Sequence, residues 1–186
     1  MTDTIELTHT SYIVLGLLSM FGEATPYDLK QMASASVGHF WTLPHSQLYA
    51  EPARLARAGY LTEDQEQGGR RRKRYGLANR GREALDDWLG ALTPEPYVLR
   101  DVALLKLFFG ASVEELAEGQ LETHRRQLAE FEALGKVVTG SGPRGPWLAL
   151  ELGLRHERVT VRFWSEQARA NKKKRRTRAR RSPPGS

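Results

Sequence analysis

No cysteine occurs among the 186 residues. That absence excludes disulfides, thiolate metal sites and cysteine nucleophiles, and it fits a reducing compartment. Long apolar runs are missing as well. The longest, Tyr12 to Phe21, is too short to cross a bilayer and lacks the basic flank and cleavage site of a secretory signal. A soluble, cytoplasmic chain with no membrane partner is expected. Glycine-rich phosphate loops, a G-x-S-x-G elbow and metal-ligand spacings are also absent. His39 and His45 share a segment with neither a carboxylate nor a third histidine. The expectation is therefore no enzyme, no cofactor and no metal. At this length the chain builds one sizeable core or two small ones.

Net charge is nearly absent from the body of the chain and concentrated elsewhere. Residues 1–92 hold ten Lys/Arg against eleven Asp/Glu, and residues 93–170 repeat that balance. The last sixteen residues hold eight cations and no acid, more than the whole net charge of +6. A second block, Arg70 to Arg82, carries seven cations and no acid. Two local basic blocks on a near-neutral body point to a polyanion touched at defined places.

The periodicity predicts a mainly α chain with a small β-hairpin. Thr8 caps a helix to about Phe21, closed by Gly22, and Thr25-Pro26 opens a second whose inner face is Tyr27, Leu29 and Met32, ended by Gly38. A third helix spans Pro44 to Gly59, followed by strands at Tyr60–Asp64 and Arg72–Leu77 and a helix over 79–92. Helix, helix, helix, hairpin, helix is the order of a winged helix-turn-helix, and the basic block lies at the hairpin tip. Thr93-Pro94-Glu95-Pro96 breaks both helix and sheet. This gives a DNA-binding domain over 1–92, a linker over 93–97, a helical domain over 98–170 and a basic, disordered tail over 171–186. Helices are expected at 98–109, 113–135 and 146–170, with Ser112 and Glu115 as a capping box.

On the third helix Leu48, Pro52 and Leu55 share the core side. Ser46, Ala50, Ala53, Arg54 and Arg57 lie opposite, with Gln47 beside them and His45 and Tyr49 on the flank. Gln47 suits an adenine edge and Arg54 a guanine edge. In the second wing strand Tyr75 and Leu77 face Leu61, which leaves Arg72 and Arg74 on the other side and Arg70 and Arg71 at the tip.

Tyr12–Leu18 (YIVLGLL), Tyr27-Asp28-Leu29, Ser46–Tyr49 (SQLY), Leu55 with Gly59-Tyr60-Leu61, and Arg72–Leu77 running into Gly81-Arg82 and Trp88-Leu89 resemble the PadR family of bacterial transcriptional regulators. Leu99–Gly110 and the helices after it resemble the C-terminal domain of the longer, virulence-activator-like branch. The resemblance implies a homodimer joined by its C-terminal helices and reading a pseudo-palindromic operator in double-stranded DNA. It further implies a repressor released by a small aromatic or drug-like molecule. Candidate DNA contacts are Tyr27, His45, Ser46, Gln47, Tyr49, Arg54, Arg70, Arg71, Arg72, Lys73 and Arg74. Two departures stand out. Pro52 sits inside the recognition helix, costs on the order of 3 kcal/mol in a straight helix, and predicts a kink near Leu48–Pro52. Ala78 replaces a capping threonine, a role Asn79 is expected to take.

In the C-terminal domain, Ala117, Leu121, His124, Leu128 and Phe131 form one seam, and Leu148, Leu152, His156, Val159 and Phe163 another. An antiparallel hairpin brings the two histidines to similar levels, either as a sensor layer or as a partner-satisfied layer that fixes register. His124, Phe131, Trp147, His156, Phe163 and Trp164 are the candidate effector or dimer-interface residues, with aromatics at this spacing more often core. Two other functional classes remain open. One is an architectural protein binding nucleic acid without sequence preference, and the other is a protein-interaction module on a winged-helix scaffold.

Overall fold

The computed structural model describes residues 5–65, 72–94, 96, 98–138 and 143–181, with side chains described except at 45, 138 and 171–181. Two compact units meet in sequence between Glu95 and Pro96.

In the first unit, α1 (His9–Phe21) begins at a reciprocal cap. The Thr8 hydroxyl accepts from the Ser11 amide, and the Ser11 hydroxyl accepts from the Thr8 amide at 2.8 Å. Gly22 ends the helix at φ 81°, a left-handed conformation that costs glycine nothing. The second helix, α2 (Pro26–Ser34), has the same kind of box between Thr25 and Asp28 and a proline in its first turn. It stops at Ser34, short of Gly38, and a 3-10 turn at Val37–His39 follows.

The recognition helix α3 (His45–Arg57) is one unbroken helix through Pro52. Proline removes the bond to the Leu48 carbonyl, but the expected kink does not break the element. Pro52 is fully buried, so its ring contributes packing where the ladder loses a bond. Strands β1 (Leu61–Gln65) and β2 (Lys73–Leu77) pair antiparallel, with Leu61 opposite Leu77 and Glu63 opposite Tyr75. Ala24, between α1 and α2, exchanges two backbone hydrogen bonds with Tyr75 at 3.0 and 2.9 Å, so β2 is bonded on both edges. The last helix of the unit, α4 (Asn79–Gly90), has Ala78 at its N-cap and no side-chain cap. Asn79 is already the first helical residue, one position too late to cap, which corrects that expectation.

Val14, Leu15, Leu18, Leu29, Leu48, Leu55, Leu61, Tyr75 and Leu85 form one buried core. Each large apolar side chain fully removed from water contributes about 1.5–3 kcal/mol. Gly81 marks the tightest approach: a Cβ there falls 2.2 Å from the Tyr60 carbonyl oxygen. Only a residue without a side chain lets α4 start against the end of α3.

The second unit comprises α5 (Val102–Phe108), α6 (Val113–Val138) and α7 (Arg144–Arg181). Asp101 caps α5 by accepting from the Ala103 and Leu104 amides, and the Ser112 hydroxyl accepts from the Glu115 amide before α6. Residue numbers fall along α7 as they rise along α6. His124 meets Glu157, Phe131 meets Gly153, and Gly135 meets Leu150, which defines an antiparallel hairpin. Trp164 is 1% exposed and packs with Ala103, Ala117 and Ala168.

Two sequence expectations need correction here. The α6 seam is the buried face, but Leu148, Leu152, Val159 and Phe163 lie outward on α7, while Leu154, Glu157, Trp164 and Ala168 face inward. Both rows have helical spacing, and α6 covers one of them. The second correction concerns residues 171–181, expected to be disordered from composition: the helix backbone continues to Arg181.

Candidate nucleic-acid interface

Ser46, Gln47, Tyr49, Ala50 and Arg57 occupy the exposed side of α3, opposite the buried Leu48, Pro52 and Leu55. Small side chains at 46 and 50 keep this side shallow enough for a helix to lie in a major groove. Gln47 is oriented by its neighbour: the Thr10 hydroxyl donates to its Oε1 at 2.8 Å. His45 opens the helix, and its side chain lies outside the described atoms. Ala53 is packed partly against the core rather than displayed.

Arg54 has a different role from the one its position on the helix suggested. Its Nε donates to Glu51 Oε2 at 2.9 Å, and its Nη2 donates to Glu51 Oε1 at 2.6 Å and to the Ser11 hydroxyl at 3.1 Å. Nη1 donates to the Glu6 carbonyl at 3.2 Å. The Ser11 hydroxyl, itself fully buried, donates to Glu51 Oε1 at 2.6 Å. Burial pushes the Glu51 carboxyl upward, but bonds from Arg54 and Ser11 and the charge of Arg54 outweigh it and hold the group below its ordinary value. The same partnership raises Arg54. These bonds occupy the Nε and Nη2 edges of Arg54 and tether α3 to α1, a structural role that competes with base reading.

The wing carries its cations as the alternation requires. Arg72 is exposed, and Arg74 donates from Nη2 to the Glu23 carbonyl at 3.1 Å. Lys73, on the opposite side of the strand, pairs with Glu63 at 2.6 Å, which raises the lysine and lowers the glutamate. Arg70 and Arg71 lie outside the described residues. Asp28 is held low by its backbone and side-chain bonds from Thr25, with smaller contributions from Arg74 and Arg72. The wing arginines therefore lie near the start of α2. Tyr27 at that start is 59% exposed, so it belongs to the outer surface and not to the inner face of its helix.

Sequence reasoning missed the groups that fix this geometry. Ser11 carried no signal of its own, and the Glu51–Arg54 spacing of three was the one available. Arg80 was also missed: it donates to the Ala58 carbonyl at 2.7 Å and lies 4.3 Å over the Tyr60 ring, binding α4 to the end of α3.

The α6/α7 hairpin buries Phe131 and Trp164 among the candidate residues of the C-terminal unit and leaves Phe163 and His156 exposed. Phe163 lies edge-on to Trp164 at 5.0 Å, and Trp147 is partly exposed. His124 Nδ1 lies 2.7 Å from Glu157 Oε2, so its polar partner is a carboxylate on the facing helix, next to the exposed His156. The Glu157 carboxylate supplies the polar partner that the register-fixing reading of this layer requires.

A helical core, an exposed polar side on the recognition helix and an arginine-bearing hairpin define a winged-helix DNA-binding protein. The comparisons narrow that class. Residues 14–87 match the Transcriptional regulator PadR-like family, and residues 99–171 match the C-terminal part of the Virulence activator alpha family. Over these two stretches the chain is similar to PadR-like transcriptional regulators of the virulence-activator type. It is 29% identical over 170 residues to the Negative transcriptional regulator PadR of Bacillus subtilis, covering 83% of this chain and 92% of the relative. The structure of Bacillus subtilis PadR in complex with operator DNA superposes with a TM-score of 0.75 at 27% identity, over 88% of this chain and 99% of that one. The same relative in complex with p-coumaric acid gives a TM-score of 0.70 at 27% identity, over 87% and 98% of the two chains.

Proposed function

We propose that the protein is a repressor that binds a pseudo-palindromic operator as a homodimer and releases it when a small aromatic molecule binds. The observation that carries the reading is the outer side of α3, with Ser46, Gln47 and Tyr49 exposed in the same unit as the wing cations Arg72 to Arg74. Helix contacts to base edges give sequence preference, and wing contacts to phosphates fix register. Dimerisation is supported by the outward row Leu148, Leu152, Val159 and Phe163, apolar side chains at least 40% exposed in a single chain. Repression and operator reading are supported by the name and the operator complex of the Bacillus subtilis relative. Its p-coumaric acid complex supports an aromatic effector. Among the described residues no helix is long and apolar enough to cross a membrane, and the proposed DNA partner supports a cytoplasmic location.

The test is equilibrium binding to the upstream region of its own gene against random DNA, at several salt concentrations. Two copies with about three phosphate contacts each give a slope of log K on log salt near −5. The Arg72→Ala/Arg74→Ala variant should bind more weakly on both DNAs with a shallower slope. Equal affinity for both DNAs in the wild type favours an architectural protein instead. A slope near zero refutes DNA binding.

A further inference from the structure

We infer that Lys172–Arg181 is a second polyanion site, a helical arm that takes the phosphate backbone of duplex DNA independently of α3 and the wing. Its ten residues hold eight cations, one threonine and one alanine. Because α7 continues to Arg181, these charges ride on a helix and not on a random coil. Ten helical residues rise about 15 Å, at about 1.5 Å each. The cations therefore recur roughly every 1.9 Å along the arm, against about 1.7 Å per charge along duplex DNA. The two linear charge densities nearly match.

Three further observations favour this partner. The arm has no internal counter-charge. Lys172 and Arg176, Lys174 and Arg178, and Arg176 and Arg180 stand four apart with like sign, which weakens a helix until anions neutralise it. The nearest acid upstream, Glu166, already pairs with Arg162 at 3.1 Å. Second, the arm lacks the apolar face that an interfacial membrane helix inserts, since its only aliphatic side chain is Ala179. Third, the match to the C-terminal family model ends at residue 171, just before the arm. The body before it carries one acid more than its cations in each half, which leaves the arm as a separate positive body.

The experiment compares three full-length proteins by anisotropy on a random-sequence duplex across a salt series. They are the wild type, a variant with Lys172, Lys173, Lys174, Arg175 and Arg176 all changed to glutamine, and the Arg72→Ala/Arg74→Ala variant. Glutamine keeps helix propensity close to that of lysine, so the first variant isolates charge. Its slope should be shallower by about 0.9 for each of the five cations that contacts a phosphate. The wing variant should keep this tail-dependent part of the binding. The glutamine variant should preserve the preference for the upstream region, so failure of the arm and failure of sequence reading give different results. Equal slopes for the wild type and the glutamine variant overturn the proposal. So does binding of the wild type to phosphatidylglycerol vesicles as tightly as to the duplex at the same salt.

Discussion

Replacing Glu51 by glutamine isolates the link between the recognition helix and α1. The carboxylate accepts three hydrogen bonds: Ser11 and Arg54 Nη2 on Oε1, and Arg54 Nε on Oε2. Glutamine keeps one acceptor in the Oε1 place and sets an NH2 against the Nε–H of Arg54. One charge-assisted bond is lost and two donors face each other, a loss of about 1.5–3 kcal/mol in a buried setting. The Arg54 side chain is 33% exposed, so water recovers part of this. The expected loss is about 1.5–2 kcal/mol, above the ~0–1 kcal/mol of an exposed ion pair. Urea denaturation of the full chain followed by circular dichroism measures it, and the transition of the N-terminal unit is the one that should move. A double-mutant cycle with Arg54→Met should give a coupling of about 1 kcal/mol or more. A loss below about 0.5 kcal/mol, or no coupling, refutes the clamp. The pH dependence has a definite sign. Glu51 is depressed in the folded state, so its contribution is complete above the ordinary value of 4.5 and disappears as pH falls through the lower folded value. The difference between the wild type and Glu51→Gln should therefore shrink below pH 4.5.

Three more outcomes follow from distances in the fold. Gly81→Ala places a Cβ 2.2 Å from a backbone oxygen that cannot yield, so a loss of about 3 kcal/mol or failure to fold is expected. A melting temperature within a degree or two of the wild type would contradict that packing. Gly153→Ala sets a Cβ 2.9 Å from the Phe131 ring. Overpacking of about 1–3 kcal/mol, offset by about 1 kcal/mol of helix propensity, predicts a small net loss. Pairing it with Phe131→Leu should turn that loss into a gain. Glu157→Leu leaves His124 without its carboxylate and should cost about 1–3 kcal/mol, while adding His124→Leu should recover much of it. No recovery in the double variant would mean that the pair does not act as a unit.

The order of elements, the caps at Thr8 and Thr25, and the exposed side of α3 were legible because they rest on local periodicity and capping chemistry. The Ala24–Tyr75 strand contact was not, because a single residue between two helices carries no alternation. The clamp at Arg54 was hidden for a related reason. A helical wheel reports the angle of a side chain but not the neighbouring element that claims it, and Ser11 and Glu6 come from α1 and the segment before it. The choice between the two apolar rows on α7 was equally invisible, since both obey the same spacing and only the partner helix selects one. The helical course of residues 171–181 was missed because composition weighs charge and ignores the momentum of a long preceding helix.

The hydrogen bond from Thr10 to Gln47 has a consequence for how this protein changes over time. A substitution at residue 47 removes the acceptor of the Thr10 hydroxyl, leaving water to take it up, and a change at residue 10 frees the Gln47 amide to rotate. Neither position drifts alone without loosening the other. On the proposed reading of DNA by the outer side of α3, a laboratory search for altered preference should therefore randomise residues 10 and 47 at once.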